Sequence, residues 1–404
     1  MPKESPTLVG VSASSINRGP SHSFLNLLLS QMQVRRVVLL TPPGFLADEA
    51  RHHGIDVHEV LAPRRSTSRR SSRLKTIPQM SDIIRREIAP GSSIVANSVG
   101  AALRVCLVAR RLAMPLYCIF RSEYISRGDV LRFRSLVKAA PDVRLLAVSP
   151  YSQGLLYGAQ ASGQLSVRVL PNIVEHRFFE PAIADRCAWL GTELLPRTLK
   201  VAYVGSATRR KGFDVLVETF RHLRDSPVKF SLILVGPSEE EASRRFPAVD
   251  RLTTFPQVDG VSFTGRLPSV AEPLRDADIV FLPAPMESFG RPVIEAAAAG
   301  VPIVCSRNPG HDCIVRDGFT ANTFEPGRPD LAAQAMLRCV QERDETRHYR
   351  DAAYRLARTF SSEHVGTQFD AMLNESAVPP ESKYRWQSGN VQPGNPITNG
   401  KHFA

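Results

Sequence analysis

The apolar run Ile279-Val280-Phe281-Leu282 and the bend that soon follows it, Glu287-Ser288-Phe289-Gly290-Arg291-Pro292-Val293-Ile294-Glu295, decide the fold. A short continuous apolar run reads as a parallel strand buried on both faces. Pro292 suits the first turn of a helix, where a missing N–H costs nothing, and that helix should run through the alanines and stop at Gly300. Val301-Pro302-Ile303-Val304-Cys305 then starts the next strand. Strand, bend, helix and strand make a βαβ unit, and open α/β sheets bind ligands where such strands end. The amides of Ser288 to Arg291 fall at the positive end of the helix, and two carboxylates, Glu287 and Glu295, flank them. Helix-start amides favour anionic groups, while carboxylates accept hydrogen bonds from hydroxyls. The bend therefore suits a ligand that is both phosphorylated and polyhydroxylated.

Working outward, the same alternation recurs on both sides. Leu8 to Val11, Arg36 to Leu40, Ser93 to Ala96, Leu116 to Phe120 and Leu145 to Val148 read as strands separated by helical patterns. Leu199 to Val204, Phe230 to Val235, Gly260 to Phe263, Asp278 to Leu282 and Val301 to Cys305 repeat the habit. Two doubly wound α/β domains with parallel sheets are expected, with a cleft between them. The expected bounds are 1–174 for the first domain, 175–198 for a hinge and 199–360 for the second. A helix at 361–375 is expected to pack back on the first domain, and 376–404, rich in Pro, Gly, Asn, Ser and Gln, to be a disordered tail. One helix is especially legible: Phe213, Leu216, Val217, Phe220 and Leu223 keep the i, i+3, i+4, i+7 rhythm, with Pro227 beyond its end.

Composition narrows the class. The chain has 404 residues, 43% hydrophobic and 22% charged, which is enough for two cores. The longest apolar stretch, Ala101 to Phe120, is broken by Arg104, Arg110 and Arg111, so no membrane-spanning helix is expected. The apolar run Leu8 to Val11 is too brief for a secretory signal, and a cytoplasmic location follows, with peripheral binding at the inner membrane face as an option. Six cysteines lack any Cys-x-x-Cys spacing and read as reduced thiols, and no metal site is expected. The formal charge of +12 favours anionic partners, and its densest source is Arg64-Arg65-Ser66-Thr67-Ser68-Arg69-Arg70-Ser71-Ser72-Arg73-Leu74-Lys75. That segment reads either as a solvated loop or as a surface for anionic lipid head groups. Nucleic acid is not expected, because no aromatic residue interleaves those arginines.

A second basic feature lies after a strand. Val201-Ala202-Tyr203-Val204 leads into Gly205-Ser206-Ala207-Thr208-Arg209-Arg210-Lys211-Gly212, immediately before the amphipathic helix. Cations and N–H dipoles at such a place stabilise the charge that gathers on a departing diphosphate, and Arg210 and Lys211 are the candidates. Neither a Walker P-loop nor a Gly-x-Gly-x-x-Gly fingerprint is present, which removes the main support for kinase and dehydrogenase readings.

The ordered set Val204-Gly205 through Lys211-Gly212-Phe213-Asp214, Phe263-Thr264-Gly265-Arg266, Leu282-Pro283 and the Glu287 to Glu295 bend resembles the retaining glycosyltransferases of family four. Leu170-Pro171-Asn172-Ile173-Val174-Glu175, Ala297 to Pro302 and Val315-Arg316-Asp317-Gly318 extend the resemblance over nearly the whole chain. It implies two Rossmann-like domains facing a cleft, the GT-B fold. It also implies a UDP- or GDP-sugar as donor, a glycan or lipid-linked acceptor, and no cofactor. Glu295 would then hold the ribose hydroxyls, Glu287 and the amides of Ser288, Phe289 and Gly290 the transferred sugar, and Gly205, Arg210 and Lys211 the diphosphate. Family members commonly carry an arginine where this chain has Ser206, so the phosphate contact would pass to Arg209 or Arg210. Arg121, in Ile119-Phe120-Arg121-Ser122-Glu123, stands where the family often has a histidine near the reacting sugar and is the second catalytic candidate beside Glu287. Cys313 replaces a frequent glutamate and receives no role. The loop Ser15 to Ser23, with Gly19 and His22, would shape the cleft or form an ordinary turn.

The function implied is transfer of a sugar with retention of configuration, by front-side attack, in cell-envelope polysaccharide or glycolipid assembly. The cation loop would take the place of a divalent metal. Two other readings stand beside it: a nucleotide-sugar epimerase on the same architecture, and a non-catalytic scaffold that binds sugar nucleotides or is recruited to membranes.

Overall fold

A computed structural model describes residues 6–60, 78–86, 89–159, 167–180, 187, 190 and 198–375. The basic segment at 64–75 and the tail from 376 lie outside the described residues. The chain forms two compact units, one from the start to Ile173 with the segment from Ser362, the other Val174–Ser361. The second unit thus begins at Val174, and Val174 bridges to Ser361 at its far end.

The first unit carries a seven-stranded parallel sheet in the order β3-β2-β1-β4-β5-β6-β7. Its strands are β1 (Thr7–Val11), β2 (Arg36–Thr41), β3 (Asp56–Glu59), β4 (Ser93–Ala96), β5 (Leu116–Phe120), β6 (Arg144–Ala147) and β7 (Val167–Val169). The helices are α1 (Gly19–Leu29), α2 (Phe45–His52), α3 (78–86), α4 (Val99–Arg111), α5 (Arg127–Ala139) and α6 (Pro150–Ala159). Two of them start on side-chain caps that the sequence supplies. Ser98 accepts from the Ala101 amide at 3.2 Å, and Ser126 and Asp129 form a reciprocal capping box. Gly19-Pro20 is no separate turn: it is the first turn of α1, where proline's fixed φ suits the helix.

The second unit has a six-stranded parallel sheet, β10-β9-β8-β11-β12-β13. These strands are β8 (Leu199–Val204), β9 (Phe230–Val235), β10 (Val258–Gly265), β11 (Ile279–Leu282), β12 (Ile303–Ser306) and β13 (Asn322–Phe324). The helices are α7 (Phe213–His222), α8 (Glu239–Arg245), α9 (Ala271–Asp276), α10 (Arg291–Ala298), α11 (Pro329–Gln341) and α12 (Arg343–Ala357). The apolar face of α7 buries Phe213, Leu216, Val217 and Phe220 in a core that also holds Phe230, Phe281 and Met336. Phe220 meets Phe230 edge-on, ring centroids 5.7 Å apart.

The last helix, α13 (Ser362–Asn374), belongs to the first unit. Tyr117 of β5 donates to the Met372 carbonyl at 2.6 Å, Gln31 donates to the Gly366 carbonyl at 2.9 Å, and Arg35 pairs with Asp370. Phe369 is fully buried beside Tyr117.

Two strands, β3 and β13, were not evident from the apolar runs. Asp56-Val57-His58-Glu59 and Asn322-Thr323-Phe324 are polar and short, and both lie at a sheet edge where the neighbouring strand supplies the pairing.

Candidate functional site

In both sheets the strand order reverses direction at one point, between β1 and β4 in the first and between β8 and β11 in the second. Helices on either side of such a point diverge, leaving a crevice at the strands' carboxyl ends. The two charged features of the second half follow β8 and β11, so the topology delivers both to one place.

The loop after β8 ends in a tight turn, Arg209–Lys211, shaped from beneath by a buried tyrosine. Tyr203 donates from its hydroxyl to the Ser206 carbonyl at 2.8 Å. Burial pushes its phenol well above the usual range, with the Glu287 charge adding to the rise, so the hydroxyl remains a donor. Gly212 closes the turn at φ +69°, and a Cβ there would stand 2.0 Å from the Pro283 carbonyl oxygen. That close approach brings the β8 loop against the loop that leaves β11, and only glycine permits it.

Lys211 and Glu287 meet there in an ion pair between Nζ and Oε1. Glu287 is only 8% exposed. Burial works to raise its carboxyl pKa, but Lys211, His311 and Arg210 outweigh it, and the group sits below its usual range. Glu287 is an anion held by surrounding cations.

Beyond Glu287 the chain bends through Ser288, Phe289 and Gly290 into α10. The Phe289 ring is buried edge-on against Phe360 at 5.7 Å, so this residue anchors the bend and offers a ligand only its backbone. Glu295, 4% exposed, lies in the second turn of α10 and is paired with Arg291 one turn earlier, Nη2 to Oε1 at 2.5 Å. The sequence reading did not anticipate that partner, although the i, i+4 spacing displays it.

A third loop, after β12, forms the floor. Asn308 accepts from the amides of Gly310 and His311 at 3.1 and 3.0 Å and donates to the Ala284 carbonyl at 2.9 Å. His311 Nδ1 lies 2.9 Å from the Ser306 carbonyl oxygen. A Cβ on Gly310 would come 2.4 Å from the Glu287 carbonyl oxygen, and one on Gly290 would come 2.5 Å from His311 Cδ2. Loop and bend are therefore packed backbone against ring. Ser306, Asn308 and His311 were not picked out from the sequence; their only signal is a run of polar residues directly after an apolar strand.

In the first unit, Arg121 lies just past the end of β5. Its guanidinium donates to the Asn97 carbonyl at 3.3 Å and to the Asn97 side chain, and Nε reaches Asn172 Oδ1 at 3.5 Å. Ser23, Ile119 and Leu170 to Ile173 line a small hollow with it. His22 is held by Asn17 Oδ1 at 2.7 Å and packs on the Phe45 ring. Gly205 abuts the Tyr203 hydroxyl in the second unit. Among the described residues no three His, Cys, Asp or Glu side chains gather as a metal site would, and no helix is long and apolar enough to cross a membrane.

Residues 193–356 match the family described as glycosyl transferases group 1. The D-inositol 3-phosphate glycosyltransferase of Actinosynnema mirum is 34% identical over 206 residues, 48% of this chain and 48% of that protein. The GDP-mannose-dependent alpha-(1-6)-phosphatidylinositol dimannoside mannosyltransferase of Mycobacterium tuberculosis is 27% identical over 54% of each chain. The chain spans about half the length of the curated relatives it matches. Among solved structures, Anabaena Alr3699/HepE in complex with UDP and glucose superposes with a TM-score of 0.73 over 91% of this chain and 99% of its own, at 18% identity. Sucrose-phosphate synthase from Thermosynechococcus elongatus gives 0.68 over 91% and 98%, also at 18% identity. Residues 193–356 thus belong to the glycosyl transferases group 1 family, and the chain that carries them has the two-domain GT-B fold.

Proposed function

We propose that the protein is a retaining glycosyltransferase that moves a sugar from a nucleotide-diphosphate sugar to an acceptor hydroxyl in cell-envelope polysaccharide or glycolipid assembly. The observation that carries this reading is the Lys211–Glu287 pair at the switch point of the second sheet, with Glu295 behind it on α10. The second domain binds the donor. Glu295 takes the ribose hydroxyls, Glu287 and the backbone of Ser288 to Gly290 take the transferred sugar, and Arg210 and Lys211 face the diphosphate. Negative charge grows on that diphosphate as the glycosidic bond breaks, and fixed cations lower the barrier because they are already oriented. They also supply the charge that a divalent metal would otherwise bring.

The first domain takes the acceptor, and Arg121 is its candidate at the reacting sugar. Retention follows from front-side attack, the departing phosphate helping to remove the acceptor proton. A lysine-paired Glu287 binds and orients the sugar; it is not the proton donor of a glycosidase. UDP and GDP donors both have support, since a solved neighbour holds UDP and a curated relative is named for GDP-mannose. The phosphoinositide and inositol phosphate named for the relatives support a polyol or lipid-linked acceptor. The basic segment Arg64 to Lys75 would hold the protein at an anionic membrane surface.

Calorimetry of the full chain with UDP-glucose and GDP-mannose, repeated with Glu295→Ala, tests the donor site. Saturable binding that the substitution weakens by about tenfold, the loss of one or two charged hydrogen bonds, is expected. Unchanged affinity removes the ribose assignment. Anomeric analysis of the transferred sugar tests retention, and sugar-nucleotide turnover without an acceptor would favour an epimerase.

A further inference from the structure

His311 is a titratable side chain that the proposed mechanism leaves unused. It is 2% exposed, yet its surroundings are polar and charged. A carbonyl oxygen can only accept, so the 2.9 Å contact with Ser306 O places a proton on Nδ1. Asn308 Nδ2 lies 3.0 Å from the same Nδ1, and with that nitrogen protonated the second hydrogen of the amide is directed to Ser306 Oγ at 3.5 Å. With Nδ1 committed, Nε2 is where the ring gains or loses its proton. That edge faces the bend: a Cβ on Gly290 would lie 3.1 Å from Nε2.

Two charges act on the ring from the elements packed against it. Glu287, from the bend after β11, favours the protonated imidazole; Lys211, from the loop after β8, opposes it. Both belong to the same ion pair, so the buried imidazole and carboxylate and the partly exposed ammonium act on one another. Arg210 adds a further cation acting on Glu287.

We propose that His311 is a positioning residue for the donor diphosphate, acting through the Lys211–Glu287 pair: a proton taken up at Nε2 gives Glu287 a cationic neighbour beyond Lys211 and Arg210 and releases Lys211 toward the phosphates. The inference rests on the donor-site reading above. A carboxylate accepts from more than one partner, and a lysine ammonium on its flexible stem swings between acceptors more readily than a buried ring moves. With neutral His311, Lys211 is the chief counter-charge of Glu287 and is tied to it. With the imidazolium in place, Glu287 stays compensated while Lys211 turns away. Burial holds the His311 pKa below the ordinary 6.5 even though Glu287 pulls it upward, so the free protein is neutral here at pH 7 and the protonated form gains weight on acidification. An anionic donor that prefers the protonated form must raise the His311 pKa when it binds, because the coupling is reciprocal.

The test is donor affinity against pH for the full chain, with UDP-glucose and GDP-mannose as probes, because a diphosphate esterified at both ends does not titrate near neutrality. The range is about pH 5.5 to about pH 8.5, where histidine changes charge. Affinity is expected to rise about three- to tenfold on acidification, within the tenfold per pH unit that one proton allows. His311→Asn and His311→Gln supply an amide donor for Ser306 but carry no titrating nitrogen, and both should flatten the profile. In the wild type, the ring-nitrogen resonances of His311 should show a titration midpoint that moves up when the donor is added. This readout needs no variant to fold. Saturable binding with the same pH profile in wild type and His311 variants, or a midpoint that stays or falls, overturns the inference and leaves the donor site intact. Absence of saturable binding at every pH overturns the donor-site reading and the inference with it.

Discussion

The switch points of the two sheets are built alike and furnished differently. Where β1 and β4 part, the loops themselves carry neutral groups, with the Arg121 cation reaching Asn97 from the end of β5: Ser12 donates to the Ser14 carbonyl at 2.7 Å, and Asn97 donates to Ser12 at 3.4 Å. Ser15 turns away to bond the start of α2, accepting from the Ala47 amide at 3.1 Å. Where β8 and β11 part, a buried ion pair takes that place, with a buried imidazole beside it and loops pressed backbone to backbone. Topology sets where a site forms, while the loop residues set what it holds. Neutral donors and acceptors suit the hydroxyls of an acceptor, and fixed charges suit a diphosphate.

The largest effect should come from splitting the ion pair. Lys211→Met leaves Glu287 buried without its main counter-charge, and loss of one partner of a buried pair costs about 3–5 kcal/mol. Urea unfolding of the full chain should show that loss, together with failure to bind a sugar nucleotide. Glu287→Gln should cost less, because the Lys211 side chain is partly exposed and its ammonium can turn to water. Equal costs would mean that the pair matters by contact rather than charge.

Next in size is Gly310→Ala. Its Cβ would meet the Glu287 carbonyl oxygen at 2.4 Å, and overpacking of this kind costs about 1–3 kcal/mol. Donor affinity should fall with it, since the bend must shift.

A third prediction concerns acid. The Glu287 carboxyl is depressed below the ordinary 4.5, so its stabilising contribution is present above that pH and is lost as pH falls through the lower folded value. His311 is depressed below 6.5, so the unfolded chain binds its proton first and stability falls from about that pH downward. Both signs agree. Wild-type stability should decline from mildly acidic pH in two stages, and His311→Asn should remove the upper stage only. A decline unchanged by that variant would show that other groups control it.

The smallest effect sharpens the contrast from the other side. Asn97→Ala removes a neutral side chain that bonds Arg121 and Ser12, and should cost about 1 kcal/mol while leaving donor affinity unaltered. Loss of donor binding in that variant would break the proposed division of labour between the domains.

Much of this was legible in advance, for identifiable reasons. Parallel strands buried on both faces write themselves as apolar runs, which is why β8, β9 and β11 stand out. The helix α7 shows itself by period, and the start of α10 by Pro292. Edge strands such as Asp56–Glu59 carry no such pattern, because one face or one side meets water and the partner strand enforces the conformation. The candidate site divides in the same way. Glu287, Arg210 and Lys211 were visible as charges at the carboxyl ends of strands, and Glu295 as a second carboxylate on the helix that follows the bend. His311 and Asn308 were not, because a polar residue after a strand is ordinary until the fold buries it.

The sequence by itself determined the two parallel sheets, the placing of cations after β8 and carboxylates after β11, and the glycines that let those loops approach. These are local properties: apolar length, helix period and backbone freedom. Only the tertiary structure decided that Lys211 meets Glu287, that Arg291 holds Glu295 and that His311 lies beneath the bend. Pairings of that kind depend on strand order and on loops tens of residues apart coming within van der Waals reach. Burial then turns them from solvated charges into coupled ones.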